Sequence, residues 1–299
     1  GIKLCVDYNR PFSPSMRAIK EALEQHRAEP ALSPWRWKRA PGFPSLPEER
    51  ATNLIITIQD EIDSYRPVHL DPGSGGGQII GETCHWLDLA CWLVERRPVR
   101  VFAAGSTRLS HAITLDFEDG SMATIFFSVC GTFDYPKERY ELTCGGALFL
   151  NECFVETAVY GRGEAVRRTY PMQHDGLIAE VPEEGFAANL QKRALAQQRF
   201  LETGTMPPLS PDKGHRALLD AFIEAVRGDG PSPVDERRGA RATYLAGLAI
   251  QSIRTGLPVP VCSRTLARLL ACLLALAPTR ASAGGGDEGV EAPRGPARS

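Results

Sequence analysis

Hydrophobic and polar residues alternate with a period of two between residues 99 and 170, a pattern typical of strands that bury one face. Apolar positions recur from Ile113 to Phe117 and from Ala123 to Val129, on either side of Asp119-Gly120, which is a strong hairpin signal. Two further hairpins are predicted around the glycine turns at 145–146 and 161–163. The segment therefore predicts an antiparallel meander of at least six strands with one polar face.

Apolar residues recur at helical spacing on both sides of this meander. Ser13 and Pro14 suit the start of a first helix, whereas the prolines between residues 28 and 53 exclude a regular element there. We predict a strand at Leu54 to Ile58, and helices at 82–95, 184–202, 215–227 and 236–255. Because the strands are gathered in the middle of the chain and the helices lie outside them, the pattern predicts an α+β fold.

Composition excludes several classes of protein. The 299 residues carry a formal net charge of −2 and are 43% hydrophobic, so we expect a globular protein with no nucleic-acid partner and no membrane partner. No secretory signal is recognisable, and we expect a cytoplasmic protein with reduced cysteines. The eight cysteines form no C-x-x-C pair and no H-E-x-x-H is present, so we predict no metal site.

The densest candidate chemistry follows a glycine run at 75–77, where Glu82, His85 and Asp88 recur at a spacing of three. Glycines let a backbone approach a ligand, and a helix that starts after them offers free N–H groups. His85 is the candidate acid/base, because an imidazole exchanges protons near neutral pH. Glu82 either orients His85 or caps the helix N-terminus, where a carboxylate is favoured. Asp88 is expected to be a structural partner.

Four other residues are candidates for contact with a substrate. Arg10 faces either a substrate or a salt-bridge partner, and Lys137 either binds a hydroxyl or carboxylate or lies on a solvated face. His69 and Asp71 precede the glycine run closely enough to line the same pocket.

These motifs, taken in order, resemble the glucose–fructose oxidoreductase / inositol dehydrogenase / rhizopine-catabolism (Gfo/Idh/MocA) family. The resemblance covers residue 1 to about residue 261 and rests on the segments 9–14, 75–88, 114–121, 135–138 and 212–215. It implies that 1–10 is the last strand of an otherwise missing nucleotide-binding domain. Residues 11–261 would form the substrate and oligomerisation domain, an open-faced, mostly antiparallel sheet with helices packed on one face. From its composition, 262–299 is predicted to be a disordered or marginally helical tail.

The resemblance also implies a function. The family uses NAD or NADP on sugars or polyols, and a homo-oligomer often forms through the sheet. His85 and Glu82 would be catalytic, assisted by the lysine of a Glu-Lys-Pro motif. This chain has neither that motif nor a G-x-G-x-x-G after a strand, and Gly81 stands where the family commonly has aspartate. We therefore expect the substrate-binding half of an oxidoreductase, inactive alone; the alternative is a non-catalytic sugar-binding or dimerisation module.

Overall fold

The computed structural model describes residues 2–28, 47–132, 135, 137–174, 202–204, 209–265 and 267–268. Within these ranges the helices are α1 Pro14–Ala28, α2 Pro67–Leu70, α3 Cys84–Val94, α4 His215–Arg227 and α5 Glu236–Thr255. A π-helical turn at Ile79–Thr83 runs directly into α3, and short 3-10 turns occupy Arg10–Phe12, Pro47–Arg50 and Ile62–Ser64. The helix predicted at 184–202 and most of the predicted tail at 262–299 lie outside the described residues.

The described strands form one large sheet and a small separate pair. They are β1 Thr52–Gln59, β2 Pro98–Gly105, β3 Ser110–Phe117, β4 Met122–Ser128, β5 Glu138–Cys144, β6 Ala147–Glu152, β7 Glu156–Tyr160, β8 Val166–Thr169, β9 Met172–His174, β10 Leu209–Pro211 and β11 Val259–Pro260. The large sheet has nine strands in the order β11-β2-β3-β4-β1-β5-β6-β7-β8, and β9 pairs with β10 alone.

The three predicted hairpins are present as β3–β4, β5–β6 and β7–β8, and each is antiparallel. The strand from the earlier part of the chain, β1, is inserted between β4 and β5. It runs parallel to β4, with Ile55 opposite Thr124, and antiparallel to β5, with Ile55 opposite Glu141. The sheet is therefore mostly antiparallel, as predicted, with one parallel pair among the nine strands.

The two faces of the sheet differ in what covers them. Leu54, Ile56 and Ile58 of β1 are fully buried on the face covered by α3 and α5, where Trp86 is also fully buried. On the opposite face Ile55 is 52% exposed and Phe126 is 46% exposed. This alternation confirms the α+β prediction of an open-faced sheet with helices on one face.

Residues 2–9 differ from the predicted opening strand, because they form no strand in the structure. Val6 N donates to Val234 O at 3.0 Å, and Lys3 Nζ donates to Ala225 O and Gly230 O, both at 2.6 Å. A strand needs a neighbour along its length, and no described strand runs beside this segment. Its assignment to a nucleotide-binding domain stays a prediction.

Candidate functional site

A buried carboxylate on the inner face of β5 lies at the centre of the site. Glu138 accepts hydrogen bonds from Arg10 Nε at 2.8 Å, Lys213 Nζ at 2.8 Å and Trp86 Nε1 at 2.9 Å. The hydroxyl of Tyr140 donates to the same carboxylate. Burial raises the pKa of Glu138, but the positive charges of Arg10 and Lys213 outweigh burial and hold that pKa well below its ordinary value.

Arg10, predicted to contact a substrate, is instead buried inside this network. Its guanidinium also donates from Nη2 to Glu138 Oε1 at 3.1 Å and lies over the Trp86 ring, 4.3 Å from the centroid. Of its side chain, 7% is exposed. The structure thus places Arg10 as an ion-pair partner of Glu138, which is the alternative left open by the sequence. In this position Arg10 supports Glu138 and Trp86 from the interior of the protein.

Lys137, the residue before Glu138, points the other way into a second polar group. Its ammonium pairs with the buried carboxylate of Asp60 and lies 4.0 Å from Glu82 Oε2. Tyr65 OH donates to Asp60 Oδ2 at 2.5 Å. The Lys137 side chain is 20% exposed, and two carboxylates flank its ammonium. We call Asp60, Tyr65, Glu82 and Lys137 the Lys137 cluster.

His85 is half-buried at the start of α3. Its ring meets Tyr8 edge-on, with centroids 5.3 Å apart, and also contacts Trp86. Nδ1 is buried without a hydrogen-bond partner, whereas Nε2 is not among the buried unpartnered atoms. Burial, and next the positive charge of Arg10, lowers the pKa of His85 to about 3. The imidazole is therefore neutral at physiological pH.

The predicted relation between Glu82 and His85 is absent from the structure. Neither the hydrogen bond between them nor a helix cap by Glu82 is present within the described ranges, and Glu82 instead faces Lys137. The reason is the π-helical turn at Ile79–Thr83, which contains Glu82 and ends before His85. A π turn winds each residue through a smaller angle than an α turn, so the spacing of three no longer aligns the two side chains.

Asp88 has the structural role expected of it. Its carboxylate is fully buried and accepts from Arg238 Nε at 3.0 Å, and Arg241 Nη2 lies 3.5 Å away. These contacts attach α3 to α5, which fixes the orientation of the helix that carries His85.

His69 and Asp71 lie beside the site rather than in it. His69 Nδ1 accepts from Arg66 N at 3.4 Å, and its ring meets Tyr65 edge-on at 6.3 Å. Asp71 accepts from Ser74 Oγ at 2.6 Å and Gly73 N at 3.1 Å. Neither side chain contacts His85 in the part of the chain that the structure describes. His69 touches the Lys137 cluster through the ring of Tyr65, which is a member of that cluster.

The glycine run forms a packed turn. A Cβ on Gly75 would lie 2.0 Å from Val68 O, and Gly77, at φ +66°, would place one 2.8 Å from Thr107 O. The N–H groups of Gly75 and Gln78 already donate to Asp71 O and Thr107 O. These glycines permit close packing of the backbone, and the turn does not fit the phosphates of a dinucleotide.

Sequence reasoning missed Glu138, Asp60, Tyr65 and Trp86. One signal for Glu138 was available, because it stands at an inward position of β5, in register with the buried Tyr140 and Leu142. A carboxylate at a core-facing strand position needs partners, and it predicts a buried network. Asp60 has the same signal, because it follows directly on β1.

Two structural features are absent from the described residues. No group of three or more His, Cys, Asp or Glu side chains there could hold a metal ion. No described helix is long and apolar enough to cross a membrane.

Fold and site together define an open-faced α+β domain with a histidine and a lysine–carboxylate cluster on its helix-covered side. Residues 55–147 match the family model of the GFO/IDH/MocA C-terminal domain. The match runs from within β1 to the first residue of β6 and agrees with the resemblance that the motifs indicate. Comparison with curated proteins found no match.

Solved structures share this fold at low sequence identity. Aldose-aldose oxidoreductase from Caulobacter crescentus, complexed with glycerol, is 13% identical with a TM-score of 0.57, over 87% of this chain and 64% of that one. An oxidoreductase from Agrobacterium radiobacter in complex with NAD+, L-tartaric acid and magnesium is 13% identical with a TM-score of 0.58, over 87% and 65%. The WlbA dehydrogenase from Bordetella pertussis, in complex with NADH and UDP-GlcNAcA, is 16% identical with a TM-score of 0.53, over 88% and 65%. This chain thus spans less than two thirds of those proteins.

Proposed function

We propose that this chain is the substrate-binding half of an NAD(P)-dependent sugar or polyol oxidoreductase. Residues 11–261 form its substrate domain, and 1–10 belong to the edge of a nucleotide-binding domain. The observation that carries the proposal is His85, a half-buried neutral imidazole that lies close enough to Lys137 to be affected by its charge, with two carboxylates flanking that lysine. The similar oxidoreductases complexed with NAD+ or NADH support the class of cofactor.

The proposed chemistry of this chain is proton transfer at a substrate hydroxyl. His85 Nε2 accepts a hydrogen bond from the hydroxyl and takes its proton only as hydride leaves the carbon, because an imidazole with a pKa of about 3 is too weak a base to remove that proton beforehand. Lys137 donates to a neighbouring hydroxyl, and Glu82 accepts from another. Arg10, Glu138 and Asp88 hold α3 and the Trp86 ring in place, so their contribution is positional.

A nicotinamide dinucleotide supplies the hydride acceptor in this class of enzyme. The packed glycine turn does not fit its phosphates, so we assign cofactor binding to a separate domain and route no step of this chain through it. Titration of the purified chain with NADH or NADPH, followed by fluorescence, is expected to give no binding. Micromolar binding would contradict the assignment of this chain as a substrate half.

Binding of substrate to the isolated chain tests the proposal directly. The imidazole signals of His85, assigned in isotope-labelled protein with His85→Ala, are followed during titration with myo-inositol and neutral hexoses. We expect saturable shifts for at least one of them, and weaker binding in Lys137→Met. Arg254→Ala, at an exposed arginine near the end of α5, serves as the control. Absence of any shift of His85 with every polyol and hexose would refute the proposal.

One observation favours a second candidate, a non-catalytic dimerisation module. Aromatic and aliphatic side chains of β1 and β4 are exposed on the uncovered face of the sheet. Such a module would self-associate, but the imidazole signals of His85 would not shift when sugars are added. The titration of His85 with myo-inositol and hexoses therefore distinguishes the two candidates. In either case we infer a homo-oligomer formed through this face.

We also infer a cytoplasmic location. Among the described cysteines, Cys130 and Cys262 are exposed thiols, and Cys84, Cys91 and Cys144 are buried thiols. Reduced thiols at the surface are usual for proteins of a reducing compartment.

A further inference from the structure

A groove that Tyr65 of the Lys137 cluster helps to line lies between the segment around α2 and the turn that joins β2 to β3. Its lining includes Ile62, Asp63, Tyr65, Leu70, Asp71 and Arg108. Tyr65 belongs to both places, because its hydroxyl bonds Asp60 while its ring lines the groove. The groove and the Lys137 cluster therefore share one residue, Tyr65.

We propose that this groove binds a second, neutral sugar unit of the substrate, so that the substrate is a disaccharide or other glycoside. This inference rests on the proposed function of the Lys137 cluster and His85. One sugar would occupy that site, and the next unit along would lie across Tyr65 in the groove.

The lining has the chemistry that a neutral sugar requires. A sugar ring presents adjacent hydroxyls, which both donate and accept, and an apolar C–H face. Asp63 and Asp71 offer carboxylate acceptors, and Arg108 offers planar donors without an ion-pair partner in the described part of the chain. Tyr65, Ile62 and Leu70 offer the apolar contact, and Ile62 is 43% exposed.

The groove is also built and sized for such a ligand. Ser106 Oγ accepts from Arg108 N at 3.1 Å and from Leu109 N at 3.3 Å, which holds the β2–β3 turn. Ser74 and Gly73 hold the Asp71 carboxylate. The groove volume is about 670 Å³, inside the range of roughly 300–1,000 Å³ usual for small-molecule sites.

Charge argues against the other occupants. Two carboxylates face one guanidinium in the described lining, so a phosphate or carboxylate would meet net repulsion. A hydrophobic peptide would leave those three charged groups without partners. A neutral polyhydroxylated ligand can form hydrogen bonds with all three charged groups and adds no charge that either carboxylate would repel.

The experiment compares one sugar with two on the purified chain. Saturation-transfer NMR measures the affinity of methyl glucoside, methyl galactoside and methyl mannoside, and of cellobiose, maltose, lactose and mannobiose. We expect at least one disaccharide to bind at least fivefold more tightly than its methyl glycoside. Arg108→Ala and Leu109→Trp should reduce that ratio to about one, whereas Arg254→Ala, an exposed arginine near the end of α5, should leave the ratio intact.

Each result decides between the two proposals. Methyl glycosides that bind while every disaccharide binds no tighter would overturn the second subsite and leave the proposed function standing. Glucose 6-phosphate binding more tightly than glucose would overturn the neutral character of the groove. If no sugar of any kind binds, the proposed function fails, and the second subsite fails with it.

Discussion

At the scale of single residues, Glu138 shows how a buried charge can be tolerated. A carboxylate removed from water costs several kcal/mol unless its lone pairs are used. Here two cations and two neutral donors share its two oxygens. The four partners come from the N-terminal segment, α3, β5 itself and the residues before α4. A single side chain therefore joins segments that are distant in sequence, and it holds Trp86 beside His85.

Replacing Glu138 with glutamine is expected to lower the free energy of unfolding by about 3–5 kcal/mol, because Arg10 would remain buried without its counter-charge. Urea denaturation at pH 7 measures the change. Glu141→Gln on the same strand is the matched control: Glu141 is partly exposed and lies 3.8 Å from Arg139, so its loss should cost no more than about 1 kcal/mol. Equal losses for the two variants would show that the Glu138 network does not stabilise the fold.

The glycine turn before α3 allows a second test at single positions. Gly75→Ala should destabilise the protein by about 1–3 kcal/mol or more, because the new methyl group would meet the Val68 carbonyl. Gly81→Ala is the control, since its Cβ would have only Gly75 O nearby, at 3.7 Å, and alanine favours helix. Thermal unfolding compares the two. A tolerated Gly75→Ala would mean that this turn is more open than its packing indicates.

At the scale of elements, sequence patterns predict correctly those helices and hairpins whose ends are set by nearby residues. The predicted bounds of α5 agree with the structure, in which Asp235 accepts from Arg238 N as N-cap and Gly256, at φ +69°, closes the helix. The hairpins followed from their turn residues. The position of β1 between β4 and β5 could not be predicted, because the alternation of apolar residues indicates which face of a strand is buried. It does not indicate which strands pair with it in the sheet. The contacts of the site could not be predicted for the same reason. Arg10 and Glu138 are 128 residues apart, and no local pattern pairs them.

The π-helical turn is joined to the sheet by His111, and this contact predicts a pH dependence. His111 Nδ1 donates to Ser106 O at 3.1 Å, so Nε2 accepts from Thr83 Oγ1 at 2.8 Å. Burial, opposed by the bond to Ser106, lowers the pKa of His111 to about 4. The unfolded state, with its pKa near 6.5, therefore takes up the proton first as the pH falls.

Stability from this residue is fully present above pH ~6.5 and is lost as the pH falls toward 4, by a total of about 3 kcal/mol. His111→Phe should reduce the slope of unfolding free energy against pH in this window, whatever its effect on absolute stability. His215→Gln, at an exposed imidazole, should keep the slope. Chemical denaturation at pH 4.5, 5.5, 6.5 and 7.5 measures it. An unchanged slope in His111→Phe would contradict the buried neutral imidazole.

At the scale of the whole molecule, the uncovered face of the sheet carries more exposed apolar surface than is usual for a monomer. Ile55, Phe102, Met122 and Phe126 are each more than 40% exposed on neighbouring strands. Apolar groups gathered on one face gain free energy when a second surface covers them. Two copies of this chain that meet face to face would cover both sets at once, which is the self-complementary arrangement of a two-fold dimer.

We therefore expect the purified chain to be a dimer and Phe126→Asp to raise its dissociation constant by about two orders of magnitude or more, because each interface would then bury a carboxylate without a partner. Light scattering coupled to size-exclusion chromatography measures the mass, and circular dichroism checks that the fold is kept. Leu219→Asp, at a 53% exposed position of α4, is the matched control and should remain dimeric. A monomeric wild-type chain at 100 μM, or a dimer lost in the α4 variant but kept in Phe126→Asp, would show that the sheet face serves another partner.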